Sequence, residues 1–276
     1  MRVIVPSVDI GKGLEMVKAT FLMVCGALVL MAQPGNLFAA SVLKVAFEDK
    51  EQFPNHLGDG TAIDPAKPGI SVEIVKAAAE AVGLQVEFTR MPWKRCLESL
   101  KAGQVDAVFN SSFQPERLEY GAYPGVDGKA DPNLRITTIG FSLYRKKGDA
   151  VAWTGKEFTN LNGPIGAPTG YSIVADLKKM GIAVEEAPAT DMNLKKLDMG
   201  RVSALVLQSV TADQILKTGG NTGIEKVEPP IVVKDYYVML NHDFVKANPD
   251  QAQRFWAKVA ELRDPMTNGL IGKYAQ

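Results

Sequence analysis

The chain has 276 residues, 46% of them apolar and 22% charged, a balance that excludes a disordered, collagen-like or coiled-coil chain. Lys+Arg and Asp+Glu each number 31, and there is no long basic run, so a nucleic-acid surface is not expected. Two Cys and two His (His56 and His242) cannot build a disulfide scaffold or a polyhistidine metal site.

In chain order, residues 19–32 (ATFLMVCGALVLMA) come first, fourteen residues without a charge. Lys18 precedes them, and Pro34-Gly35 and the small residues Ala39-Ala40-Ser41 follow. That pattern predicts a secretory signal over 1–40, with Met16 as a second candidate start. Fourteen residues make about 21 Å of helix, short of a usual membrane crossing; an uncleaved anchor or a buried helix are the alternatives. Cleavage leaves Cys96 alone, so no internal disulfide is expected. Cys96 shares an apolar helical face with Trp93 and Leu100 and reads as a packed side chain.

The remainder repeats itself. A strand at 42–47 (VLKVAF) opens the first copy. Ile74, Val75, Ala78, Ala79 and Val82 keep helical spacing until Gly83, a residue suited to ending a helix. Leu84, Val86 and Phe88 then alternate with polar residues, as a strand does. A helix at 93–102 stops at Gly103, and 105–109 is a short apolar strand. Residues 172–207 repeat the order: Leu194-x-x-Leu197-x-x-Gly200-x-Val202-x-Ala204 answers Leu97-x-x-Leu100-x-x-Gly103-x-Val105-x-Ala107. Any helix–Gly–strand unit has some likeness to another, but order, spacing and five identities favour two similar α/β lobes with mainly parallel sheets. Stretches 137–145 and 236–240, rich in β-formers, bracket the second copy and read as crossings between lobes. Helices at 249–262 and 266–274 would return to lobe one, which makes lobe two an insertion within lobe one.

Ligands bind beyond the carboxyl ends of strands in open parallel sheets. Those positions hold Glu48-Asp49, Arg90 to Trp93 and Asn110-Ser111-Ser112 in the first lobe, and Tyr171, Ser172 and Gln208 in the second. If the lobes face each other, these residues line one cleft. Each has a plainer reading. Arg117 follows Pro115-Glu116 and can grip a carboxylate or phosphate bidentately, or pair with Glu119 at the surface. Trp93 is a stacking wall or a core residue. Arg90, Lys94 and Arg95 are an anion-attracting rim or solvated surface. Ser172 opens a helix whose N-terminus favours an anion, or is an ordinary N-cap. Glu48, Asp49 and Asp106 have acid–base chemistry, yet no catalytic, phosphate-loop, dinucleotide or zinc motif is present, so neither an enzyme nor a cofactor or metal is expected.

With these residues in view, the chain resembles bacterial extracellular solute-binding proteins of family 3, the periplasmic amino-acid-binding group of ABC importers, over roughly 42–275. The likeness rests on Gly69-Ile70-Ser71-Val72-Glu73-Ile74, on Leu97 to Ala107, on Pro115-Glu116-Arg117, on Tyr123-Pro124 and on the closing Lys273-Tyr274. It implies a two-lobed type II periplasmic-binding fold divided as 1–40 signal, 41–139 lobe one, 140–239 lobe two and 240–276 lobe-one helices. The lobes would close on a small ligand about a hinge. The resemblance gives Arg117 the ligand carboxylate, Trp93 a wall, and Tyr171 and Ser172 a hydroxyl-rich loop. Gln114 stands where the family commonly has Thr. Gln208 falls where the family's amino-acid binders carry the acid that meets the ligand ammonium, which points to another small anion, a modified amino acid or a short peptide. The implied partners are that small molecule and a membrane permease, or a membrane sensor if the protein is a signalling adaptor. A periplasmic monomer is expected. The same fold hosts a few enzymes, a further alternative.

Overall fold

Apolar alternation and helical spacing settle most elements. The computed structural model describes residues 1–4, 41–220 and 222–274; the expected secretory signal lies outside the described residues apart from 1–4. In the first copy, β1 (Ser41–Glu48) buries Leu43, Val45, Ala46 and Phe47. Helix α1 (Ile70–Ala81) buries Ile70, Val72, Ile74, Val75, Ala78 and Ala79 on one face. Strand β2 (Leu84–Met91), α2 (Trp93–Lys101) and β3 (Ala107–Ser112) complete this copy. A 3₁₀ turn, Pro115–Glu119, follows, then a hairpin of β4 (Gly125–Val126) and β5 (Lys129–Ala130).

Strand β6 (Thr137–Lys146) leads to a hairpin of β7 (Ala152–Trp153) and β8 (Phe158–Thr159). The second copy is β9 (Ile165–Pro168), α3 (Ser172–Lys179), β10 (Val184–Ala187), α4 (Thr190–Asp198) and β11 (Ala204–Gln208), followed by α5 (Ser209–Thr218). The long β12 (Ile224–Leu240), α6 (His242–Ala247) and α7 (Pro249–Tyr274) close the chain.

The duplication read from the sequence is visible in the sheet. Eight strands run in the order β10-β9-β11-β6-β12-β3-β1-β2. Inverting that order exchanges the copies: β2 with β10, β1 with β9, β3 with β11, β12 with β6. Pairing is parallel within each copy, and β6 and β12 pair antiparallel with each other and with the copies. The glycines ending corresponding helices, Gly83 and Gly181, take φ of 81 and 79°, a left-handed turn that a Cβ disfavours. The fold is α/β and two-lobed, with lobe two inserted in lobe one and two crossing strands, as expected.

Three boundaries differ from the sequence reading. Strand β3 runs on to Ser112, so Asn110, Ser111 and Ser112 lie on the strand and not beyond it. Strand β12 begins at Ile224, twelve residues before the expected crossing. Its Pro229-Pro230 pair disguises it, and the pairing with β6 skips a register between Val227 and Val232 at that point, since proline cannot donate to a ladder. The two expected final helices are one, with Pro265 inside it. A proline costs one helical bond, but both halves of α7 are anchored. Phe255, Trp256 and Val259 are buried on one side of Pro265, and Tyr274 on the other. The Tyr274 hydroxyl donates to Glu73 and accepts from the Gly69 amide. Burying a side chain such as Phe255 contributes about 1.5–3 kcal/mol, enough to offset the lost bond.

Candidate functional site

The carboxyl ends of β1, β2 and β3 meet those of β9 and β11 around a narrow cavity of about 10 Å³. Gln52, Trp93, Asn110, Ser112 and Arg117 line it from lobe one, and Tyr171, Ser172 and Gln208 from lobe two, with Tyr236 of β12 between. An outer groove of about 480 Å³ shares Arg117, Tyr171 and Ser172 with it and adds Lys94, Glu98 and Gln114.

Arg117 is 7% exposed. It lies in the 3₁₀ turn that Pro115 starts and is the buried residue of that turn. Its Nη1 donates to the Ser112 carbonyl at 3.0 Å, to Ser112 Oγ at 3.2 Å and to Ser111 Oγ at 3.4 Å. Its Nη2 donates to the Gly170 carbonyl of lobe two at 3.1 Å. The guanidinium also lies 5.5 Å from the Trp93 ring centroid, a cation–π contact. Glu119, the alternative partner, is taken by Lys101 at 2.8 Å. Among the described residues no carboxylate pairs with Arg117. A buried cation without a counter-charge is costly unless an anion joins it.

Trp93 serves in both roles weighed for it. It packs with Cys96, Leu97 and Leu100 and also faces the cavity. Cys96 is fully buried, and burial pushes its thiol pKa up, which makes it a poor nucleophile.

A ring of three side chains closes the floor. Tyr171 Oη donates to Glu48 Oε2 at 2.5 Å. Gln52 Nε2 donates to that same oxygen at 2.9 Å and to Tyr171 Oη at 2.8 Å. Glu48 and Gln52 belong to lobe one and Tyr171 to lobe two, so the ring ties the lobes together. Burial pushes the Glu48 carboxyl up to about 7, against the pull of these hydrogen bonds. Other bonds cross the same seam: Ser112 Oγ to Ser172 Oγ at 2.7 Å and Gln114 Nε2 to the Ser172 carbonyl at 3.0 Å. Lys234 Nζ reaches Ser172 Oγ at 3.1 Å while paired with Asp176. Ser172 is the first residue of α3; Tyr171 occupies the cap position, without a side-chain capping bond.

Strand alternation sorts the Asn110-Ser111-Ser112 triplet. Asn110 and Ser112 line the cavity, whereas Ser111 faces away, its Oγ 2.7 Å from Tyr123 Oη. Asn110 sits at φ 55°, a backbone that Asn tolerates better than most residues. Its Nδ2 faces His56 Nδ1 at 3.4 Å, and His56 Nε2 is 2.8 Å from the Lys50 carbonyl. Burial and the nearby Arg90 charge push His56 down to about 3, so it is neutral.

Arg90 departs from the expected rim. It lies within β2 and is 3% exposed. It donates to the carbonyls of Glu48, Leu57, Ala62 and Gly58 and sits over the Phe47 ring. It therefore holds the 48–62 loop, which carries Gln52 and His56, and is a positioning residue. Glu48 likewise stands behind Gln52 and lines a separate recess of about 150 Å³ with Asp49, Trp93 and Lys94. Asp106 is structural, its Oδ2 accepting from the Lys44 amide at 2.8 Å.

Sequence reasoning missed Gln52 and Tyr236. Gln52 lies four residues past the end of β1, a carboxyl-end loop position that the strand-end rule covers. Tyr236 belongs to a stretch read only as a crossing. Among the described residues, no group of three or more His, Cys, Asp or Glu is arranged to hold a metal ion, and no helix is long and apolar enough to cross a membrane.

Residues 63–123 match the family model of bacterial extracellular solute-binding proteins, family 3. No curated protein sequence matches the chain. Several solved structures share its fold. An ancestral arginine-binding protein bound to glutamine aligns with a TM-score of 0.65 and 20% identity, covering 85% of this chain and 97% of that one. A histidine kinase sensor domain with similarity to periplasmic binding proteins aligns with a TM-score of 0.66 and 18% identity, covering 84% and 95%. The GluR0 ligand-binding core from Nostoc punctiforme in complex with L-glutamate aligns with a TM-score of 0.64 and 17% identity, covering 84% and 98%. The resemblance read from the sequence is thus supported by a family-model match over residues 63–123 and by a type II periplasmic-binding-protein-like fold.

Proposed function

We propose that this protein is an exported binding protein that captures a small, carboxylate-bearing solute between its two lobes and delivers it to an ABC permease. Lobe one comprises 41–139 and 240–276, and lobe two 140–239. The observation that carries this reading is Arg117, buried at the seam, bonded to both lobes and without a carboxylate partner among the described residues. The ligand carboxylate supplies the missing charge. A solute that contacts both lobes only when they are together shifts the open–closed balance by its differential affinity, and the permease recognises the closed form. The matched family model is described as one of extracellular solute-binding proteins, which supports a periplasmic location and a binding role.

A hydrogen-bonded Arg–carboxylate contact contributes about 1.5–3 kcal/mol net. Calorimetry on the purified protein with its tightest-binding small acid tests this: Arg117→Ala is expected to weaken binding at least tenfold while the far-ultraviolet dichroism is retained. Unchanged affinity rejects the reading. A second reading, a ligand-gated adaptor for a membrane sensor, is favoured by the likeness to a histidine kinase sensor domain. Deleting the gene separates the two: loss of solute uptake supports delivery, and loss of a transcriptional response with uptake intact supports sensing.

A further inference from the structure

The atoms facing the cavity specify more than an anion. Three buried side-chain atoms there lack a hydrogen-bond partner: Gln52 Oε1, Asn110 Oδ1 and Gln208 Nε2. Their residues are 3%, 4% and 4% exposed, and buried polar atoms are rarely left unpaired. Two of the amide orientations are fixed by their other ends. Gln52 Nε2 is spent on the Glu48 carboxylate and on Tyr171 Oη, so Oε1 is the free end. Asn110 Nδ2 faces His56 Nδ1, an acceptor because His56 Nε2 donates to the Lys50 carbonyl, so Oδ1 is free. Of its amides, the cavity therefore offers two free acceptors, Gln52 Oε1 and Asn110 Oδ1, and the Gln208 Nε2 donor, which leans on the Tyr236 hydroxyl; the Ser112, Tyr171 and Ser172 hydroxyls line the same space beside the Arg117 guanidinium.

Its charge is equally specific. Arg117 is the one ionic side chain among the cavity-lining residues. The Glu48 carboxylate is shielded by Gln52 and Tyr171, both bonded to its Oε2. Lys234, which reaches Ser172, is paired with Asp176.

We infer, building on the binding role proposed above, that the site selects a small monocarboxylate whose second group is neutral and both donates and accepts hydrogen bonds, a hydroxyl or a carboxamide, over the matching amino acid. Such a group donates to Gln52 Oε1 or Asn110 Oδ1 and accepts from Gln208 Nε2. An ammonium has donors only. It leaves Gln208 Nε2 unpaired and adds a second buried cation beside Arg117 with no carboxylate facing it. A second carboxylate on the ligand is disfavoured as well, since it meets two amide oxygens. Gln52, Asn110 and Gln208 are the specificity-determining residues.

The test is isothermal calorimetry of the purified protein against matched pairs: glycolate and glycine, L-lactate and L-alanine, D-glycerate and D-serine, succinamate and 4-aminobutanoate. In the pair bound most tightly, the member without the ammonium is expected to bind at least fivefold better. A smaller preference, or a preference for the amino acid, overturns the inference and leaves the binding role standing. Failure of every probe, with Arg117→Ala indistinguishable from wild type, overturns both. Gln208→Glu supplies the charge an ammonium needs, and the folded variant is expected to move the ratio at least fivefold toward the amino acid; an unmoved ratio overturns the role of Gln208. The wild-type comparison stands whether or not that variant folds.

Discussion

Trp93, Asn110, Ser112 and Arg117 reach the cavity from lobe one, and Tyr171, Ser172 and Gln208 from lobe two. Topology is shared between the two walls, yet their chemistry is divided. Lobe one carries the cation, the aromatic wall and two buried titratable groups, Glu48 and His56. Lobe two contributes hydroxyls, an amide and the Gly170 carbonyl. Duplication can thus fix where a cavity lies without fixing its chemistry: one half supplies the cation, and the other supplies uncharged polar groups.

The largest expected effect is on pH dependence, and it belongs to lobe one alone. Glu48 is raised from 4.5 to about 7 by burial, so the folded state favours the neutral carboxyl. Its stabilising contribution is complete below pH 4.5 and is lost as pH rises to about 7. Glu48→Gln removes that titration while keeping a neutral side chain of the same size. The stability of the variant relative to wild type is expected to climb by about 3 kcal/mol between pH 4.5 and 7, at about 1.4 kcal/mol per pH unit, and to stay level outside that window. Urea melts at a series of pH values measure it; a constant difference across the window removes Glu48 from the buried floor. His56 runs the other way. Held down to about 3 by burial, it costs stability as pH falls from 6.5, and His56→Gln relieves that loss.

Next in size is the tenfold loss with Arg117→Ala described above. Smaller again is Tyr171→Phe, which takes the hydroxyl out of the ring joining Glu48 and Gln52 across the seam. One hydrogen bond to a charged or half-charged group, about 1.5–3 kcal/mol, then no longer favours the closed form. Solution X-ray scattering without ligand is expected to give a larger radius of gyration for the variant than for wild type; identical profiles count against the ring as a latch. The smallest is Ser111→Ala. Ser111 faces away from the cavity and holds Arg117 and Tyr123, so about 1 kcal/mol of stability and a severalfold loss of affinity are expected. An affinity loss as large as that of Arg117→Ala would instead place Ser111 against the ligand.

Much of this is legible in the sequence. The Leu-x-x-Leu-x-x-Gly-x-Val-x-Ala pattern at 97 and 194 marks equivalent helix–strand units, and the sheet order returns that equivalence. Seven of the nine cavity residues follow from the strand-end rule or the family resemblance. What stays hidden depends on contacts between segments distant in sequence. Arg90 reads as a rim residue until the 48–62 loop is seen folded over it. Glu48 reads as a ligand contact until Gln52 and Tyr171, the latter 123 residues away, cover it. Pro229-Pro230 and Pro265 read as interruptions because local rules penalise them, while the packing of β12 on β6 and of α7 on α1 carries the elements through.

A ligand carboxylate that completes the Arg117 site between the lobes is the central claim. A crystal structure of the protein with its tightest-binding small acid tests it directly. The expected result is a carboxylate about 2.7–2.9 Å from the Arg117 guanidinium nitrogens, with Gln208 of lobe two on the same molecule. An acid lodged elsewhere, with Arg117 bonded only to the protein as it is now, contradicts it.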